Sequence, residues 1–409
     1  MKPTTFMKLS SSILLSAALT GCFLDDNDDN SFQVFDDITV IQSSGDGSTV
    51  EFTDGKSIVE SDFLPQTATD YAVFANGEYF YQLGKFDIDT IQKYHIENPE
   101  MGYYANDGYS LRAAGETTSA NPHNIVFLKD ENNTAVITRY GNTKSWVVNL
   151  NAQSSDDFII KELDLSHHTS PVTDTDKDPE ASMAFISNAK LFITLQNLDG
   201  YTATNNAMVA VFDTTTWEEI DTDDNIDGIQ GISLTLKNHQ VGAANGDNIY
   251  LGSLVYGAWG TDEPATGGIE VINTSTLESS VATDKIAVSN ITVTNQGNVF
   301  FVGYTGWEDN SLYALNSDNS YNTVGTEFSG INITMLASPG DSIWLGTNSF
   351  DGNNDEENDN QILRLDSNLD YTATNSFDDI VLSSVITALK PISIAFLDTD
   401  PSELSDSEE

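Results

Sequence analysis

One cysteine stands in 409 residues, so no disulfide can form within the chain. Basic residues are scarce as well: 16 Lys and Arg face 63 Asp and Glu, a formal net charge of −47 at pH 7. A chain so negative repels polyphosphate, and nucleic acid is excluded as a partner. Because only 19% of residues are charged, the imbalance reflects missing Lys and Arg, a composition that stays soluble in high salt. Long apolar runs are missing too. The stretch Ile13 to Leu19, behind Lys2 and Lys8, is too short to span a bilayer and reads as a secretory signal. No segment holds an apolar period of 3.6 residues for several turns, which argues against helices. Gly-x-Ser-x-Gly, His-Glu-x-x-His and a phosphate-cradling glycine loop are all absent, so no catalytic residue is assigned and the expectation is a protein that is not an enzyme.

What is present begins at the N-terminus. Leu19-Thr20-Gly21-Cys22 resembles the lipobox of bacterial lipoproteins, which implies cleavage after residue 21 and lipidation of Cys22. Losing Lys2 and Lys8 with the signal takes the net charge to −49. Phe23 rather than Asp follows the cysteine, which by the same resemblance implies the outer membrane, on its periplasmic or its cell-surface side. Asp25 to Asn30 are nearly all Asp or Asn and cannot pack, so they form a solvated tether. The expected layout is a signal peptide at 1–21, lipidated Cys22 and tether at 22–33, one domain at 34–397 and an acidic disordered tail at 398–409.

The domain reads as all-β. Short runs rich in Val, Ile, Tyr, Phe and Thr alternate with Asn/Asp/Gly turns, and the runs align in sets. One set follows a tight-hairpin signal: Asn76-Gly77 before Tyr79-Phe80-Tyr81, Asn188 before Leu191-Phe192-Ile193, and Gly246-Asp247 before Ile249-Tyr250-Leu251. Gly297-Asn298 and Gly340-Asp341 open two more such second strands. Third strands end in Asp or Asn plus a polar turn, as in Val209 to Asp213 and Ile269 to Asn273. First strands open at Tyr71, Ile125, Met183, Val241, Ile291 and Ile333. A last apolar run, Ile392 to Leu397, has no strands after it, while Ile38 to Ile41 and Thr49 to Thr53 have no first strand before them. Six units of about 42 to 59 residues and one assembled from both termini predict a seven-bladed β-propeller of four-stranded blades. The segments "VAVFDTTTWEEIDT" (209 to 222) and "NPHNIVFLKDENNTAVITRYGNTKSWVVNL" (121 to 150) resemble the blades of bacterial YVTN-repeat propellers.

In such a ring, the second-to-third loops and the loops entering each first strand open on one face. The former carry Lys85, Phe86, Arg139, Tyr140, Tyr201, Tyr256, Trp259, Tyr304, Trp307 and Phe350, an expected aromatic ring for ligand binding. Lys85 and Arg139 can pair with an anionic ligand group or with local carboxylates. The latter loops carry His123, Glu180, His239, Asn290 and Asn332, expected at the mouth of a wet channel, where they can line it or hold a metal. His167-His168 lies in a polar loop and carries less weight. Asp174, Asp176 and Asp178 alternate as in a calcium loop. So do Asp223, Asn225 and Asp227, although Leu234 replaces the closing carboxylate of an EF-hand; the run 351–360 is acidic without pattern. No cofactor is required on this reading, and Ca2+ is the ion these loops can take.

Similarity to surface propeller lipoproteins that capture corrinoids or ferric siderophores implies a bulky ligand on the aromatic face and an outer-membrane, TonB-dependent transporter as partner. Two other readings stay open: a calcium-dependent lactonase or esterase using Glu180, Asn290 and Asn332, and an envelope interaction scaffold without a small-molecule site.

Overall fold

The computed structural model describes residues 38–397 apart from 106, 131–132, 170–176, 201, 256–264, 305–309, 326–331, 341, 349–359 and 367–379. Cys22, the tether and the C-terminal tail therefore lie outside the described residues. Among the described residues no helix is long and apolar enough to cross a membrane.

Short β-rich runs punctuated by turn residues fold here as antiparallel sheets. β1 (Thr39–Ser44), β2 (Ser48–Thr53) and β3 (Ile58–Gln66) come first. Blade one follows as β4 (Tyr71–Asn76), β5 (Tyr79–Gly84), β6 (Thr90–His95) and β7 (Tyr109–Ser110). Blade two is β8 (Pro122–Phe127), β9 (Thr134–Arg139), β10 (Lys144–Asn149) and β11 (Ile159–Asp164). Blade three is β12 (Ala181–Ser187), β13 (Lys190–Leu195), β14 (Met208–Asp213) and β15 (Ile232–Ser233). Blade four holds β16 (His239–Asn245), β17 (Asn248–Ser253), β18 (Gly268–Asn273) and β19 (Glu278–Asp284). Blade five holds β20 (Ala287–Val293), β21 (Val299–Tyr304), β22 (Asn310–Leu315) and β23 (Tyr321–Thr323). Blade six holds β24 (Asn332–Ala337), β25 (Ser342–Asn348), β26 (Gln361–Asp366) and β27 (Val381–Ile386), and β28 (Lys390–Phe396) ends the fold.

Each blade is one four-stranded sheet, and the seventh has the order β28-β1-β2-β3. The two ends of the chain thus close the ring, with Thr39 opposite Phe396 and Ser44 opposite Lys390. Polar side chains buried in this blade bind the two ends together. Glu51, 1% exposed, accepts hydrogen bonds from Ser43 Oγ at 2.8 Å and from the Ala388 N–H at 2.9 Å. Gln82 of blade one donates to Gln42 Oε1 at 2.9 Å across the seam.

The hairpin chemistry works as the turn residues require. Gly77 (φ 61°) and Gly246 (φ 58°) take the left-handed conformation that a tight turn demands. At the equivalent turn of blade three, Asn188 and Ala189 both do so, at φ 51° and 56°.

The core is divided into layers between consecutive blades. Tyr81, Ile137 and Trp146 pack between blades one and two, Leu191 and Val147 between two and three, and Phe192, Val211 and Ile249 between three and four. Blades four and five enclose Ile269, Val288 and Phe301, while five and six enclose Phe300, Leu345 and Leu363. Trp344 and Ile41 meet at the sixth seam, and Phe52, Phe80 and Ala395 at the last. Middle strands are therefore buried on both faces, which is why they read as unbroken apolar runs rather than alternating ones. Each such aromatic or aliphatic side chain contributes about 1.5–3 kcal/mol by leaving water.

Candidate functional site

The innermost strands carry a recurring irregularity. Their pairing with the second strand slips by one residue between Pro122 and Asn124, Ala181 and Met183, His239 and Val241, Val288 and Asn290, and Ile333 and Met335. The pairing of β28 with β1 slips at the matching place, between Pro391 and Ser393, whereas β4 pairs without a slip. An extra residue re-aims the side chain that follows it. Four of those six following residues, Met183, Asn290, Met335 and Ser393, line a central cavity of about 370 Å3 together with Val73, Phe74, Phe127, Ile392 and Ile394. The residues that line it are mostly apolar in type, while the surface they present is close to half polar. Two polar positions stitch neighbouring inner strands: Asn124 Oδ1 accepts the Ala184 N–H at 3.1 Å, and Ser393 Oγ accepts the Val73 N–H at 3.1 Å.

Of the five residues expected at a wet channel mouth, this lining contains Asn290. His123 instead stacks on Tyr140 with ring centroids 4.3 Å apart. Burial, with the Lys85 ammonium as a second cause, pushes its imidazole down to about 3, so it is neutral at pH 7. Glu180 is buried and accepts the Leu198 N–H at 2.8 Å. His239 is wholly buried, its Nε2 3.6 Å from Glu270, and burial lowers it to about 3. Asn332 donates to Asn348 Oδ1 at 2.6 Å, within its own blade.

The second-to-third loops divide. Tyr201, Tyr256, Trp259, Trp307 and Phe350 lie outside the described residues. Tyr304 is half-buried against the layer between blades five and six. Lys85 forms an ion pair with Asp70 at 3.0 Å, and Phe86 beside it is 55% exposed. Their turn is fastened at both ends. The N–H groups of Lys85 and Phe86 donate to Asp70, at 2.9 Å to its carbonyl and 3.2 Å to its carboxylate. Ile88 and Asp89 donate back to the Lys85 carbonyl at 3.0 and 2.9 Å. The buried Asp89 carboxylate takes Arg112, Ser119 Oγ at 2.9 Å and the Asn121 N–H at 2.8 Å. An aromatic ring is thus held toward solvent by a turn with little freedom left to lose on binding.

Arg139 has the opposite fate. It is 0% exposed, pairs with Glu116, donates to the carbonyls of Leu111 at 3.0 Å and Lys144 at 3.3 Å, and lies 4.0 Å over the Trp146 ring. Tyr140 next to it gives its hydroxyl to Gln196 at 2.9 Å, whose amide reaches the His239 carbonyl at 3.2 Å. His123, Tyr140, Gln196 and the His239 backbone therefore form one chain of contacts across blades two, three and four.

Of the calcium-loop candidates, Asp174 and Asp176 lie outside the described residues, and Asp178 is half-buried. Asp223 Oδ1 accepts the N–H and the side-chain amide of Asn225 at 3.0 and 2.8 Å, and those bonds lower its carboxyl. Asp227 and Asn225 are exposed. A carboxylate outside these loops, Glu219, meets two histidines, His167 and His168, and nothing local in the sequence marks it.

No family model matches this chain, and no curated protein does. Solved structures do match. A puromycin-hydrolyzing peptidase from Mycobacterium tuberculosis aligns at 10% identity with a TM-score of 0.53, over 83% of this chain and 50% of that one. A functionally unknown protein from Desulfotomaculum acetoxidans aligns at 12% and 0.51, over 90% and 100%. A streptogramin B lyase aligns at 11% and 0.50, over 88% and 91%. At such identities the likeness establishes a shared β-propeller fold and carries no activity across.

Proposed function

We propose that the chain is an exported, lipid-anchored binding propeller, not an enzyme, that takes a bulky ligand of the corrinoid or siderophore class on the face where Lys85 and Phe86 stand. The observation that carries this reading is the exposed Phe86 ring on a turn fixed by Asp70 and Asp89, with a cation beside it. Small-molecule sites combine apolar or aromatic surface with a few placed polar groups, and flat or catecholate-bearing molecules suit stacking plus one cation. The central cavity of about 370 Å3 lies within the size range of ligand pockets and offers room for an arm of such a molecule. The Glu180 carboxylate accepts the Leu198 N–H, which weighs against it as the metal ligand of a lactonase. Lipidation of Cys22 places the propeller at the outer membrane, beside a transporter able to receive the ligand.

The test uses the chain with Cys22→Ser, titrated with cobalamin and with ferric siderophores while its tryptophan fluorescence is followed. Quenching that saturates is expected, with affinity at least about 10-fold weaker in Phe86→Ala, the loss of one stacked ring. Folded protein that responds to neither ligand class overturns the ligand assignment.

A further inference from the structure

We infer that His167, His168 and Glu219 form a binding site for one divalent transition-metal ion of the zinc class, joining blade two to blade three. The inference does not rest on the ligand face above.

The two histidines sit in a single 3-10 turn, Ser166–His168, immediately after the outermost strand of blade two. Glu219 follows the third strand of blade three, bridged to Phe212. In an extended strand adjacent side chains point to opposite faces. The turn instead brings both rings to one carboxylate. His168 Nε2 is 2.5 Å from Glu219 Oε1, and His167 Nε2 is 3.0 Å from Glu219 Oε2. The ring centroids of the two histidines are 4.1 Å apart. One ligand atom from each residue lies within 4.8 Å of the others. A tetrahedral zinc ion with bonds of about 2.0–2.1 Å holds its ligand atoms about 3.3 Å apart. Shifts on the order of 1 Å in three side chains therefore give that geometry.

Burial and charge favour a cation there. The side chains of His168 and Glu219 are 3% and 6% exposed, and both ion-pair partners of Glu219 are histidines. A buried carboxylate needs a compensating positive charge, and among the described residues no Lys or Arg supplies one to Glu219. Two imidazole nitrogens and one carboxylate select zinc, cobalt or nickel over calcium or magnesium, which take oxygen ligands. His167, at 40% exposure, marks the solvent side, where water can fill the fourth position. Ligands from two blades make the bound ion a fastener between the segment that leaves blade two and the outer part of blade three.

The decisive experiment strips the full chain with a chelator and titrates Zn2+ against a chromophoric competitor in excess calcium. One equivalent is expected to bind with Kd below about 1 μM, at least about 100-fold weaker in His168→Ala and in Glu219→Gln. His167→Ala, at a half-exposed position, is expected to keep the fold and lose about 10-fold in affinity, which covers the case in which the buried variants fail to fold. Co2+ bound to the unsubstituted chain should show tetrahedral visible absorption that His167→Ala alters. Tight binding unchanged in folded His167→Ala, or no binding tighter than about 0.1 mM, overturns the site.

Discussion

Two equivalent loops of adjacent blades start with the same pair of residue types and use them in opposite ways. After β5 the chain runs Lys85-Phe86, with the cation at the surface and the ring exposed. At the end of β9 it runs Arg139-Tyr140, with the guanidinium wholly buried and the ring stacked under His123. The difference is one of position in the strand. Arg139 is still the last paired residue of β9, opposite Pro122, so its side chain points between blades. Lys85 is the first residue beyond β5 and belongs to the turn. Glu116, from the segment linking blades one and two, arrives to meet Arg139 and also takes Asn142 Nδ2 at 3.0 Å. One loop is built for stability, and the other leaves its ring exposed beside a cation paired with Asp70.

The largest effect should come from breaking that contrast directly. Arg139→Ala takes the cation from Glu116, which keeps the Ala113 N–H and Asn142 Nδ2, removes a donor from the Leu111 and Lys144 carbonyls and uncovers the Trp146 ring. Removing one member of a fully buried ion pair costs about 3–5 kcal/mol, an upper bound here because Glu116 is partly exposed. Lys85→Ala, at a partly exposed pair, should cost no more than about 1 kcal/mol. Denaturant melts of the two variants compare them, and an Arg139→Ala cost near that of Lys85→Ala would mean that burial of the guanidinium contributes nothing.

The ring of seven blades was legible because hairpin turns and middle strands buried on both faces leave local marks. Asn76-Gly77 and Gly246-Asp247 announce turns whose glycines are indeed left-handed, and Ile392 to Leu397 was recognisable as a strand in need of partners. β3, by contrast, was missed: its register with β2 shifts three times, and Ile58 to Gln66 mixes Glu, Asp and Pro with apolar residues. The site was less legible, since it depends on register and on distant partners. A slip of one pair after Pro122 or Val288 decides which side chains enter the channel, and no residue type encodes it. Glu219 meets His168 from 51 residues away in another blade, so only the His-His pair itself, in a chain with five histidines, offered a clue.

An effect confined to acid pH separates the two loops as well. His123 behind Tyr140 has its folded value lowered to about 3, against about 6.5 in an unfolded chain. Between those values the unfolded chain binds the proton and the folded one does not, so stability is complete above pH 6.5 and falls as pH drops toward 3. The slope from one such group is at most about 1.4 kcal/mol per pH unit. His123→Phe keeps a ring against Tyr140 and removes the proton site, so its acid unfolding should begin at lower pH than that of the unsubstituted chain. Equal acid midpoints would place the ring in water rather than behind Tyr140.

The narrowest window belongs to a third cation, which sharpens what surface pairing does for Lys85. Lys93, in the third strand of blade one, is 1% exposed and meets rings and amide oxygens instead of a carboxylate. Its ammonium lies 4.0 Å from the Tyr79 ring centroid and 4.5 Å from that of Tyr103, and donates to the Leu150 carbonyl and to Asn151 Oδ1 at 3.2 Å each. Burial lowers its pKa to about 8, while an unfolded lysine titrates near 10.4. Between those values the unfolded chain holds the proton that the folded chain has lost, so this residue makes stability rise with pH from about 8 to 10.4. Tyr94, which burial raises to about 12, pulls the other way once unfolded tyrosines ionise near 10. The gain is therefore cleanest from pH 8 to 9.5, measured as the difference between the unsubstituted chain and Lys93→Met, in which it should vanish. A flat difference would show that the rings and the two oxygens keep the buried ammonium charged and that burial does not lower its pKa.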